Sequence, residues 1–362
     1  MNKRRHSGFF MAAMFVFAVF AAGIAMNECR AQSGHTDVLD PHALPLGDGK
    51  VSAEPRRGYV YSCMTQFRGG GAEHAGDWIR GSTWDATRKI HVRGEVTWPN
   101  ATFTITTANG ERRVTGNGLP VNHATGTFPV RRDDPAFQID RNPSSIEAQQ
   151  IGFTLPLLPS PAGTASCVPM GMIGVALSGV ALFNALDAAG RDAVAHEVQD
   201  LCNGHPEMRG QYHYHGPSTC VPGANGNATL VGYALDGFGI YSIYDANGRE
   251  LTNADLDECH GRTGRIKWEG REVTMYHYVM TREYPYTVGC YRGTPARMQQ
   301  ARFSDGPPPG KGGARRPPPE AIAACNGLAD GAQCRFTAPR GDTIGGVCRS
   351  PAGELACVPG MR

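Results

Sequence analysis

The sequence predicts a mainly β protein, a β-rich α+β fold with short helices, tied by disulfides and built around an internal pseudo-repeat. Three observations carry this expectation. Forty-seven glycines and 26 prolines set against only 19% charged residues call for many turns and short strands rather than long helices. Beyond Cys29 the chain holds ten cysteines, an even number that suits five disulfides. The middle of the chain also repeats itself: Asp200-Leu201-Cys202-Asn203-Gly204-His205, Tyr212-His213-Tyr214-His215 and Cys220 are echoed by Asp257-Glu258-Cys259-His260-Gly261, Tyr276-His277-Tyr278-Val279 and Cys290.

Taken in chain order, residues 1–31 read as a secretory signal peptide. Lys3, Arg4 and Arg5 form a basic start, Phe9 to Ala25 an apolar run, and Cys29-Arg30-Ala31 closes with small residues at the cleavage positions. The competing expectation is a retained anchor, because an apolar run of about seventeen residues approaches the lower limit for a span. With the leader cleaved, no membrane span is expected in the mature protein. Its loss removes Lys3, Arg4, Arg5, Arg30 and Glu28 and takes the formal charge from +2 to −1, which leaves no basic excess to argue for nucleic acid. Export and paired cysteines together point to a secreted or periplasmic protein.

Residues 32–57 are polar and unpatterned and are expected to form a flexible lead-in. A central domain is expected over 58–300. Within it, Thr102-Phe103-Thr104-Ile105-Thr106 alternates, Ala108-Asn109-Gly110 turns and Arg112-Arg113-Val114-Thr115 returns, the pattern of a hairpin. Tyr244 to Gly248 looks like a second tight turn; its glycine falls at the wrong loop position for an EF-hand. The runs Ile173 to Leu177 and Val180 to Phe183 read as buried strands. Ala188 to Leu201 reads as one helix capped by Asp187. A Pro/Gly-rich linker follows over 301–320, and residues 321–362, with Cys325, Cys334, Cys348 and Cys357, form a small module stapled by two disulfides. The repeat suggests Cys202 with Cys220 and Cys259 with Cys290, leaving Cys63 for Cys167.

The chemistry lies in the repeat. On a strand, Tyr212 and Tyr214 share one face while His213 and His215 share the other, about 6.6 Å apart, so two imidazoles can converge on one ion. His205 and His277 are the next candidate ligands, and Asp236 could add a carboxylate or orient an imidazole. Imidazole-rich ligation favours copper, zinc or iron over calcium or magnesium. Such a site could serve a metal-dependent oxidoreductase or hydrolase, with no catalytic residue assignable. A metal-free alternative has His205 or His277 titrating near neutrality and oriented by Asp200 or Asp257. No Gly-x-Ser-x-Gly elbow is present, since Ala176 stands two positions before Ser178. The competing class is a non-enzymatic module whose aromatic residues contact a small molecule, glycan or cell-envelope ligand around a structural Tyr/His core.

At these residues the chain resembles the YHYH-domain family of secreted bacterial proteins. Tyr212 to His215 is the motif itself, and Cys202 to Pro206, Gly232 to Phe238, Leu256 to Cys259, Tyr284 to Cys290 and Gly118 to His123 are similar to the family's pattern. The resemblance covers roughly 58–295 and implies export and a histidine-rich domain, but no reaction. In the second copy Val279 stands where His215 would correspond, so a single asymmetric site is expected. The four-cysteine tail resembles a small disulfide module found at the ends of exported bacterial proteins.

Overall fold

The structure, a computed structural model, describes residues 39–67, 69–296, 319–337, 343–349 and 355–359. The expected leader and nearly all of the expected linker lie outside these residues. Every element below belongs to the unit Asp40–Arg362. The fold is β-rich, with two short helices and five disulfides among the described residues. No helix among them is long and apolar enough to cross a membrane.

The centre is an eight-stranded sheet made of β1 (Met172–Ala176), β2 (Ala181–Phe183), β3 (Gly204–Pro206), β4 (Tyr212–Tyr214), β5 (Leu230–Ala234), β6 (Gly239–Tyr241), β7 (Gly261–Trp268) and β8 (Arg271–Val279). Their spatial order is β3-β4-β2-β1-β5-β6-β8-β7. Counted outward from the middle, each half reads hairpin, parallel partner, antiparallel edge: β1-β2-β4-β3 on one side and β5-β6-β8-β7 on the other. The halves meet where β1 pairs antiparallel with β5, Val175 opposite Tyr233, with Gly174 opposite Ala234 and Ala176 opposite Gly232. A local two-fold axis therefore passes through the Val175–Tyr233 pair, perpendicular to the sheet. It carries Tyr212, His213 and Tyr214 onto Tyr276, His277 and Tyr278.

The duplication is longer than the motif. After β2 and β6 the chain runs Leu186-Asp187-Ala188-Ala189-Gly190-Arg191 and Tyr244-Asp245-Ala246-Asn247-Gly248-Arg249. In each loop the aspartate Oδ1 accepts from the backbone N–H two and four residues on, at 2.9 and 2.8 Å for Asp187 and 2.9 and 3.0 Å for Asp245. Gly190 and Gly248 close these loops with φ of +78° and +79°. This turn corrects the helix expected over Ala188 to Leu201. Gly190 sits in a left-handed conformation that a helix cannot include, so only Ala193–His196 is helical, capped by Asp192 and not Asp187.

The same economy explains the Asp-x-Cys motif. Asp200 Oδ1 accepts from the N–H groups of Cys202 and Gly204, while Tyr212 donates its hydroxyl to Oδ2 at 2.8 Å. Asp257 Oδ1 likewise accepts from the N–H groups of Cys259 and Gly261, and here the tyrosine, Tyr276, donates its hydroxyl to that same oxygen at 3.1 Å. These aspartates hold tyrosines on the buried face; they do not orient His205 or His277. The disulfides Cys202–Cys220 and Cys259–Cys290 close each copy, and Cys63–Cys167 completes the central set.

A three-stranded sheet, Phe103–Ala108, Glu111–Gly116 and Ile151–Pro156, contains the expected hairpin. It shares one apolar core with the large sheet through Val114, Phe153 and Leu155. Arg112 is fully buried there, its guanidinium 4.1 Å from the Tyr233 ring and 4.7 Å from Trp268, and it pairs with Glu269. Residues 43–52, within the segment expected to be flexible, are docked instead. Leu44 pairs with Trp84, and Gly47 donates its N–H to Asp192 Oδ2 at 2.9 Å. The described part of the tail is a helix over Pro319–Ala323 and a three-stranded sheet, with disulfides Cys325–Cys348 and Cys334–Cys357.

Candidate metal centre

Strand β4 turns its tyrosines to the core. The Tyr214 hydroxyl meets His123 Nε2 at 2.6 Å and Ser178 Oγ at 3.3 Å. The histidines take the opposite face, as the period of two demands. His205 on β3 lies directly across from His213, and His215 follows at the end of β4. Their rings sit 4.5 Å (His205 to His213), 4.7 Å (His213 to His215) and 5.4 Å (His205 to His215) apart by centroid, all buried, with Phe183 stacked on His213 at 3.9 Å.

The backbone fixes two of the tautomers. His213 Nδ1 faces the Gln211 carbonyl at 2.9 Å and His215 Nδ1 faces the Asn184 carbonyl. A carbonyl can only accept, so both protons belong on Nδ1 and both Nε2 atoms present lone pairs. Those two Nε2 atoms lie 3.0 Å from one another. Two acceptors at that distance repel unless a cation comes between them or beside them.

Glu197 completes the cluster and was not foreseen from the sequence. Its Oε2 lies 3.4 Å from His215 Nε2 and 3.5 Å from His205 Nε2. Among the described residues neither Glu197 Oε2 nor His205 Nε2 has a hydrogen-bond partner, although both are buried. Four nitrogen donors around a metal at about 2.05 Å stand roughly 3.3 Å apart along each tetrahedral edge. The separations of 3.0, 3.4 and 3.5 Å match that spacing, and the three ligand nitrogens all lie within 4.8 Å of one another. His205 Nδ1 faces the Asn142 amide nitrogen at 3.4 Å, too long to fix its tautomer.

Electrostatics point the same way. Burial pushes His205 and His213 well below the ordinary imidazole range and His215 down to about 4, so all three are neutral at pH 7. Burial, helped by Asp140 and Asp187, raises Glu197 well above the ordinary carboxyl range. Burial also lowers Lys89, to about 7, although Asp192, Glu197 and Asp140 attract its charge; its ammonium is tied to Val194 O and Gln199 Oε1. A divalent cation among the imidazoles would reverse the penalty on Glu197. The cluster forms the wall of a cleft of about 400 Å³, with Gly70, Asp140, Asn142 and the exposed Met208 on its other sides.

Of the five residues named from the sequence, three come together. His277 stands on β8 in the other half of the sheet, five strand spacings or about 24 Å from β4. Its Nδ1 meets the Met275 carbonyl at 3.2 Å. Asp236 is buried at the turn after β5, where it accepts from the Tyr278 hydroxyl at 2.5 Å and from Gly293 N–H at 2.9 Å. It is the two-fold counterpart of Ser178 and orders the tyrosine face. Nor does either of His205 and His277 titrate near neutrality, since burial lowers His205 well below the ordinary imidazole range and His277 to about 4. The cysteine groups that approach metal spacing, His123-Cys202-Cys220 and Cys325-Cys334-Cys348, have their sulfurs committed to disulfides.

Residues 152–251 match the family model described as YHYH protein. This YHYH segment holds Glu197, His205, His213, His215 and Asp236, and ends before β7 and β8. It spans the first copy of the repeat and the opening hairpin of the second. No curated protein and no solved structure matches the chain.

Proposed function

We propose that this is an extracytoplasmic protein of the YHYH family that binds one transition-metal ion, copper, zinc or iron, through His205, His213 and His215, with Glu197 as the fourth donor. One observation carries the reading: two tautomer-fixed Nε2 lone pairs 3.0 Å apart, beside a carboxyl oxygen and an imidazole nitrogen that have no hydrogen-bond partner among the described residues. The five disulfides support an oxidising compartment. In this reading the YHYH domain extends over both copies, 58–300, and the four-cysteine tail is a separate module. The cleft beside the ligands gives a small substrate access, so the reaction class is metal-dependent hydrolysis or oxidoreduction. The rival glycan-binding reading would use an exposed aromatic strip; among the described residues the exposed large apolar side chains include no aromatic ring.

The test is elemental analysis of the exported protein purified without chelator, beside the His213→Ala, His215→Ala double variant and His205→Gln. One equivalent of metal in the wild type, with loss in both variants and retained circular dichroism, is expected. A wild type that carries no stoichiometric metal and takes up neither zinc nor copper overturns the proposal.

A further inference from the structure

The two-fold axis repeats the cleft as well as the strands. In the second half a pocket of about 280 Å³ is lined by Tyr241, Tyr244, Asp245, Arg262, His277 and Val279. The metal cleft is lined by the counterparts of these residues in the same order: Phe183, Leu186, Asp187, His205, His213 and His215. The tautomer device is retained, since His277 Nδ1 meets the carbonyl two residues before it, as His213 does. The metal ligands are not. Arg262 stands across from His277 where His205 stands across from His213, and Val279 replaces His215. Two imidazoles are gone and a permanent cation has arrived, so this pocket repels a metal ion and attracts an anion.

The groups around it leave that cation unspent. Asp245 is occupied by its own loop and by Arg249 at 3.5 Å, and Arg265 is paired with Glu272 at 2.6 Å. Among the described residues Arg262 forms no ion pair, and His277, only 6% exposed, has no partner on Nε2. Gly264 lets the two converge: a Cβ there would lie 3.3 Å from His277 Cε1 and 3.7 Å from Arg262 Nε. A guanidinium that binds carboxylate and a lone pair that accepts from a hydroxyl stand side by side. The volume lies just under the ~300 Å³ at which small-molecule pockets usually begin, which suits one ring and no more.

We propose that the second copy of the repeat has become a binding site for a small hydroxy-carboxylate the size of one sugar acid. Its carboxylate lies on Arg262 and a hydroxyl donates to His277 Nε2. The ligand could be a free hydroxy acid or the terminal acidic residue of a polysaccharide, and the site does not depend on metal in the first copy.

Calorimetric titration of the full chain with galacturonate, trigalacturonate, galactose and inorganic phosphate tests this, using wild type, Arg262→Gln and His277→Gln. Galacturonate should bind, and galactose should bind at least about tenfold more weakly, as should galacturonate to Arg262→Gln. His277→Gln should weaken galacturonate while leaving its preference over galactose in place. Binding of trigalacturonate would assign the site to a polysaccharide end, and its exclusion to free acids. No galacturonate binding, equal binding of galactose or phosphate, or an unchanged Arg262→Gln variant overturns the proposal. Arg262 is half-exposed on an edge strand, so that variant retains the fold, which circular dichroism checks.

Discussion

Glu197 and His205 each leave a buried polar atom without a partner among the described residues, and they leave it facing the same space. A buried carboxyl whose oxygen lacks a partner costs stability in the metal-free fold. The Glu197→Gln variant should therefore move two properties in opposite directions. Without metal it should be more stable at pH 7 by about 1–3 kcal/mol, because the carboxyl no longer has to be buried with Oε2 unpaired. Its zinc affinity should fall by about tenfold or more. Chemical denaturation and zinc titration read the two effects, and a variant that loses stability while binding zinc normally would make Glu197 a packing residue. The histidines were legible in the sequence because a strand puts His213 and His215 on one face. Glu197 was not, because it reaches the cluster from the end of a helical turn whose position depends on Asp192 and the docked Gly47. The hint was Glu197 beside His196 in the otherwise apolar stretch Ala193 to Val198.

The elements show why the two halves share one architecture. β1 and β5 cross the axis so closely that a Cβ on Gly174 would stand 2.7 Å from the Tyr233 carbonyl oxygen, and one on Gly232 would stand 2.5 Å from that of Val175. Neither obstacle is a movable side chain. Gly174→Ala and Gly232→Ala should each cost about 1–3 kcal/mol by forcing the central strands apart, whereas Gly152→Ala, with nothing within 4 Å of the added carbon, should be nearly neutral. Urea midpoints of the three variants check this, and equal effects at all three would show that the axis is not closely packed. At this scale the hairpin over 103–116, the buried strands on either side of Ser178 and the pairing Cys202–Cys220 were all readable from local pattern. The helix over 188–201 was misread because its apolar spacing fits a helix, while the Asp187 loop with Gly190 takes up its first residues. The full extent of the duplication was readable from Asp187-Ala188-Ala189-Gly190-Arg191 against Asp245-Ala246-Asn247-Gly248-Arg249. The eightfold sheet order was not, since it depends on the long-range meeting of β1 and β5.

For the molecule as a whole, two sets of buried groups oppose each other as pH changes. Among the described residues burial lowers the pKa of six histidines, His91, His205, His213, His215, His260 and His277, and raises that of six carboxyls, Asp140, Asp192, Glu197, Asp200, Asp236 and Asp257. Against an unfolded imidazole of about 6.5, the folded histidines stay neutral, so their share of stability is lost as pH falls from there towards about 4, where His215 and His277 titrate. The carboxyls work in reverse: their share is present below about 4 and is lost as pH rises through the folded values, near 6 for Asp192. The metal-free protein should therefore show a shallow stability profile between about pH 5 and 6.5. If Glu197 is the fourth donor as proposed, zinc would break the balance, because binding would hold Glu197 ionised and remove one proton from the folded state alone. With saturating zinc, unfolding free energy should climb more steeply with pH than in the metal-free protein, by up to about 1.4 kcal/mol per pH unit. In Glu197→Gln the two slopes should coincide. Urea denaturation at pH 5, 5.75 and 6.5, with and without zinc, measures both; parallel slopes in the wild type would mean that Glu197 neither ligates the ion nor loses a proton to it.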